Sequence, residues 1–206
     1  MAIIHHTTLQ PSKLDLLTTW LPTRPWYAGT GTPELTKAGG FRLDDPAGEV
    51  GIEFMVAADA DGVAYLVPLT YRGAPLDGAE HALVGIMDHG VLGKRWAYDG
   101  CHDPVLVAEL LALVEGRAQA QMQSVDNTPD PDIARSFTGT GGLRAQGPAR
   151  DDETGTELPA GNGTALRLHR RLGLPEAPPA GAVGHVAGPW TARDGSRVRG
   201  LFAELR

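Results

Sequence analysis

One cysteine in 206 residues, Cys101, rules out an intramolecular disulfide and a cysteine-based zinc site, so its thiol is expected to be a small buried group. Long apolar runs are missing too: no stretch reaches the roughly 18 to 20 continuous apolar residues of a membrane helix. The opening "MAIIHHTTLQPSKL" lacks the basic region and apolar run of a signal peptide, and a cytoplasmic location is expected. Positive charge is scarce. A formal charge of −7 leaves no electrostatic footprint for nucleic acid, and the arginine-dense "RLHRRL" is too short to make one. Phosphate cradles are absent as well. "GTGTPE" and "TGTGGLRA" space their glycines closely, yet neither matches G-x-x-x-x-G-K-[ST] nor G-x-G-x-x-G, so they are expected to be turns.

What is present suits a globular chain rich in turns: 42% apolar residues can build a core, while 27 glycines and 16 prolines keep the elements short. In "PSKLDLLTTWLP" Ser12 and Asp15 form a capping pair, and Leu14, Leu17 and Leu21 share a helical face until Pro22 ends it. Alternation predicts strands near 37–44, 50–58 and 63–71, with one buried face carrying Ile52, Phe54 and Val56. A further hairpin is expected near 82–87 and 91–97. In "HDPVLVAELLALVEG" Asp103 caps a helix with Pro104 at its first position, and Val107, Leu110, Leu111 and Val114 make its apolar stripe. Short connections make the sheet antiparallel.

The expected fold is α+β, an antiparallel sheet packed by two helices over residues 1–123. "SVDNTPDPDIARSF" (124–137) is expected as a linker, and 138–206 as a small β-rich subdomain whose Gly-rich opening stretch is partly flexible. Its exposed strand edges could be covered by a second copy of the chain in a homodimer.

Chemistry-bearing groups are sparse. "IIHHTT" puts His5 and His6 on opposite faces of a strand. "EHALVGIMDHG" spaces Glu80, His81, Asp88 and His89 over a hairpin, and "YDGCHDP" crowds Asp99, Cys101, His102 and Asp103 into one turn. None of these sets, nor His169 or His185, shows a recognised ligand spacing, so no metal is expected. No G-x-S-x-G elbow exists, and Ser12, Ser124, Ser136 and Ser196 fall in turns or linkers, so no catalytic residue is assigned. In "LPTRPWYAG", Pro22 and Pro25 stiffen the backbone around Trp26 and Tyr27, which either plug a helix-to-sheet junction or present a flat surface to a sugar or protein.

"WLPTRPWYAG" at 20–29, "AYLVPLTYRG" at 64–73 and "WAYDGCHDPVLVAELLALV" at 96–114 occur in an order that resembles the N-terminal cap domain of actinobacterial maltokinases. That domain carries a W-L-P-x-x-R-W-Y-x-G segment, a Y-x-V/I strand and a Y-D-A-x-x-D-P turn; here Pro25 is inserted between Arg24 and Trp26. The resemblance implies that the tail should echo a kinase N-lobe, and "ALRLHRRLG" at 165–173 is similar to its I-L-K-V-F-R-R-L strand, with Arg167 in place of the ATP-orienting lysine. No counterpart of a C-lobe follows in the sequence, so a catalytic loop and its metal ligands cannot be assigned. The expectation is a stand-alone cap-like protein without catalysis or cofactor.

Because the cap of those kinases is implicated in assembly with trehalose synthase, the resemblance implies a protein partner in maltose, trehalose or glycogen metabolism. Trp26, Tyr27, Tyr71, Arg72, Trp96 and Tyr98 are the candidate contact surface. A second reading is a partial kinase whose tail binds a nucleotide or phosphosugar, with ATP and magnesium, through Arg167, His169, Arg170 and Arg171, with Lys94, Arg95 and Arg72 adding charge. Its bland counterpart is a charged, solvated edge strand. A third is a small enzyme using the His and Asp turns, which needs His81, His89 and His102 to converge.

Overall fold

The computed structural model describes residues 9–123, 128–161, 163–173 and 175–206; His5, His6 and Ser124 lie outside the described residues. Its elements run β1 (Leu9–Gln10), α1 (Lys13–Trp20), β2 (Thr36–Leu43), β3 (Gly51–Ala58), β4 (Ala64–Arg72), β5 (Leu83–His89), β6 (Gly93–Asp99) and α2 (Pro104–Glu115), followed by six more strands. These are β7 (Ala134–Phe137), β8 (Arg150–Asp151), β9 (Gly155–Gly161), β10 (Thr164–His169), β11 (Gly184–Thr191) and β12 (Arg197–Leu205). The caps follow the sequence. Ser12 and Asp15 form a capping box on α1, the Asp103 carboxylate accepts from Val105 N–H at the start of α2, and α2 ends at Gly116, whose φ of 81° suits a residue without Cβ.

All pairings are antiparallel, in one sheet of order β1-β5-β6-β4-β3-β2-β11-β12-β10-β9-β8, with β7 on β11. The sheet closes on itself. Just beyond β10 the backbone returns to the start of β4: Leu66 N–H donates to Arg170 O and Leu172 N–H to Ala64 O. Strands β4, β3, β2, β11, β12 and β10 thus form a circuit that leaves no free edge among them.

All six strands contribute to one apolar cluster, with Phe54 stacked on Phe41 at 4.5 Å and Phe202 beyond it. Leu106, Val107, Leu110, Leu111 and Val114 of α2 fill the same cluster. The core is therefore continuous across residue 123, and the stretch expected as a linker carries β7, paired with β11.

The expectation of a single buried face is corrected. A second cluster on the opposite side of β3 and β4 joins Met55, Ala57, Tyr65, Val67 and Leu69 to Leu17, Trp20, Leu21 and Trp26. Because α1 and the segment after it cover that side, β3 is buried on both faces, and Glu53 on the expected polar side is buried too. Glu53 accepts from Lys13 Nζ, from Tyr71 OH at 2.7 Å and from Gln123 Nε2 at 3.1 Å. Burial acts to raise its pKa, but the Lys13 ammonium and these donors hold it below the ordinary value.

Candidate functional site

Three places gather the chemistry-bearing residues, and they differ from the sets that sequence alone suggested. Of the aromatic surface, Trp26 and Tyr98 are buried and cannot meet a partner. Trp26 stands edge-on to Trp20 at 5.7 Å, with the Arg170 guanidinium 4.9 Å from its ring centre, so the prolines around it serve the core. Tyr98 OH accepts from Leu76 N–H at 2.9 Å. Tyr71 is engaged by Glu53, and Arg72 makes a bidentate pair with Asp103, both bonds at 2.7 Å. Tyr27 is half-buried and donates to Gly31 O.

Trp96 alone of the set stays linked to an open apolar surface. It pairs across the strands with Ile86, which is 42% exposed, and the turn of the same β5–β6 hairpin carries Val91 at 61% and Leu92 at 43%. Lys94 Nζ lies 5.8 Å from the Trp96 ring centre. Sequence reasoning missed Ile86, Val91 and Leu92. Their signal was present as three large apolar residues in and beside a tight turn, where polar residues are the rule.

The second place is a groove of about 640 Å³ on the outer face of β9, β10 and β12, lined among others by Glu157, Arg167, His169, Arg171, Glu204 and Arg206. Of the four tail residues expected as an anion or nucleotide contact, Arg167, His169 and Arg171 line this groove; Arg170 does not. Side chains alternate along an extended chain, so Arg170 points away from His169 and Arg171 and is fully buried. Its Nη2 donates to both Asp99 oxygens at 2.7 Å and its Nε to Thr156 Oγ1 at 2.7 Å. Burial acts to lower its pKa, but the Asp99 carboxylate outweighs this and pushes it above the usual guanidinium range.

Within the groove Arg167 is held by Asp152 through two bonds and by Thr154, which drives the Asp152 pKa well below the ordinary carboxylate range. Arg206 pairs with Glu204, and Arg171 donates to Glu153 O. His169 Nε2 and Glu204 Oε2 stand 4.0 Å apart, both buried and without a hydrogen-bond partner among the described residues. Burial pulls the His169 pKa down to about 4, helped by Arg167 and Arg206, so the ring is neutral near pH 7. Since β10 pairs with both β12 and β9, the edge-strand explanation of its charges does not apply.

The third place joins the two His and Asp turns. His81 Nε2 meets His102 Nδ1 at 3.1 Å, whereas His89 lies at the far end of β5, paired with Leu9 and Gly93. Two of the three expected histidines therefore converge. Cys101 is buried, and burial raises its thiol far above the ordinary range, which leaves it unreactive. Lys94 and Arg95 sit on β6, apart from the groove lining.

Residues 20–103, from the last turn of α1 to the cap of α2, match the family model of the maltokinase N-terminal cap domain. That stretch is similar to the maltokinase cap domain. Among curated proteins, none matches the chain. The match takes in the β5–β6 hairpin and both histidines of the converging pair; the groove lies outside it. Among the described residues, no helix is long and apolar enough to cross a membrane.

Proposed function

We propose that this cap-like protein is a non-catalytic docking module of maltose and α-glucan metabolism, working in the cytoplasm on an enzyme of trehalose or glycogen turnover. The observation that carries the reading is the exposed apolar end of the β5–β6 hairpin, Ile86, Val91 and Leu92, inside the stretch that matches the cap domain. Apolar side chains concentrated on one projecting hairpin are a common mark of a protein contact. The lack of catalysis is supported by Arg167: the position that the kinase strand would give to lysine holds a guanidinium already spent on Asp152 and Thr154.

The test is affinity capture from native lysate with identification of the bound protein, using wild type and the pair Ile86→Asp and Leu92→Asp. The expected result is recovery of an enzyme acting on maltose, trehalose or glycogen by wild type and its loss with both variants. Equal capture by the variants, or recovery of no such enzyme, would overturn the docking reading.

A second reading is favoured by one feature: the unpaired His169 Nε2 and Glu204 Oε2 in a groove with three arginines. On this reading the groove binds a nucleotide or phosphosugar, and a ligand would have to draw Arg167 from Asp152. Calorimetry with Mg-ATP and with a hexose phosphate separates the two readings, because only groove binding gives heat that Arg171→Ala and Arg206→Ala reduce.

A further inference from the structure

Two turns that docking does not use bring ligating side chains together from three distant parts of the chain. His81 sits in the 3-10 turn Glu80–Ala82, and His102 ends the 3-10 turn Gly100–His102 that follows β6. Their rings are perpendicular, at 89°, with centres 4.7 Å apart. Asp99, His102 and Asp151 each offer a ligand atom, and these atoms lie within 4.8 Å of one another. Asp151 belongs to β8, so the cluster is made by the tertiary fold and not by the "YDGCHDP" turn alone.

The polar bookkeeping of this cluster is uneven. Two carboxylates accept only, and one ring nitrogen of His102 is already occupied by His81, so the His102 ring has at most one proton to turn toward them. Asp99 Oδ1 accepts from Arg170 Nη2 and Cys101 N–H, but among the described residues Oδ2 accepts from Arg170 Nη2 alone and keeps a lone pair. Asp151 Oδ1 accepts from Thr156 Oγ1 at 2.5 Å. Arg170 and Thr156 thus fix the two carboxylates without using up their capacity. One guanidinium faces two carboxylates, with its Nη1 lacking a hydrogen-bond partner among the described residues, so a net negative charge remains for an added cation to meet.

We propose that Asp99, His102 and Asp151 bind a divalent first-row transition metal ion of the zinc type, with His81 orienting the His102 ring. Imidazole with carboxylate oxygen is an accepted ligand set for zinc, and a hydrogen bond to the other ring nitrogen is the usual support of a ligating histidine. The ion joins the end of β6, inside the cap-like stretch, to β8 outside it. Its role is to pin that outer strand onto the cap-like domain.

The test is titration of chelator-treated full-length protein with zinc chloride by calorimetry, together with thermal melting with and without zinc. One zinc per chain with a dissociation constant of about 10 μM or tighter is expected, together with a melting temperature that rises with zinc. His102→Ala should abolish the effect and Asp151→Asn weaken it. His81→Ala should weaken it roughly 10- to 100-fold, and His89→Ala, at the far end of β5, should leave it unchanged. Unchanged melting of these variants in chelator shows that the fold is intact; if His102→Ala melts early there, Asp151→Asn decides. The proposal is overturned if wild type shows no saturable one-to-one binding, if His102→Ala and Asp151→Asn bind as tightly as wild type, or if His89→Ala loses as much as they do.

Discussion

Replacing Arg170 by alanine tests the closure of the sheet at its most costly point. The guanidinium and the Asp99 carboxylate are both fully buried, and Arg170 also bonds Thr156 and lies over Trp26. Removing it strands Asp99 with Cys101 N–H as its remaining donor in the interior. Breaking such a buried pair costs about 3–5 kcal/mol, a large share of a domain's net stability of roughly 5–15 kcal/mol. For a chain of this size each kcal/mol shifts the melting temperature by about 2–4 °C, so Arg170→Ala should melt roughly 6–20 °C below wild type. Urea unfolding should be followed in the presence of a chelator, which isolates the ion pair from any metal on Asp99. Asp99→Ala should lose a similar amount, and the double variant should lose little more than either single one. A loss below about 1 kcal/mol for Arg170→Ala, the value of an exposed pair, would refute the argument that this guanidinium is desolvated and structural.

His169 should make stability depend on pH. Its folded pKa, near 4, lies below its ordinary unfolded value of about 6.5, so the unfolded chain binds more protons between the two. Stability should therefore fall as pH drops from about 6.5 to about 4, by roughly 3 kcal/mol in total, and His169→Gln should flatten that part of the profile in urea melts at stepped pH. Cys101 should resist a thiol reagent in the native state and react fully in denaturant; fast native labelling, followed by absorbance, would contradict its burial. Gly40 has φ of +127°, and a Cβ there would lie 2.0 Å from Phe54 O. Gly40→Ala should accordingly cost about 3 kcal/mol or more in thermal melts, while Gly48→Ala, at an open turn, should cost far less.

Local signals in this chain were legible because their causes are local. Capping by Ser12 and Asp103, the proline at the start of α2, the hairpin turns and the alternation in β2 to β6 each depend on residues within a few positions of one another. The same holds for the cap-domain resemblance, whose motifs are short and run in chain order between residues 20 and 114; the family model matches 20–103. Site residues fared worse. Trp26, Tyr98 and Arg170 have the chemistry of contact residues, yet burial removes them from any surface. The inward turn of Arg170 could have been read from two-residue alternation, since 169 and 171 share a face that 170 cannot.

The order of residues by itself determined α1, α2 and the strands β2 to β6, and that most of the first half is an antiparallel sheet, because these follow from backbone preference and nearest-neighbour periodicity; it did not mark β7 to β9, which form in stretches read as linker and Gly-rich loop. Only the tertiary structure decided that β11 joins β2, that Arg170–Leu172 returns to β4, and that His81, His102, Asp99 and Asp151 meet. Those contacts link residues dozens of positions apart, and they form because burying both faces of β3 and β4 requires α1 on one side and the far end of the chain on the other. No window of local sequence carries that requirement; it arises when the whole chain competes for the same buried space.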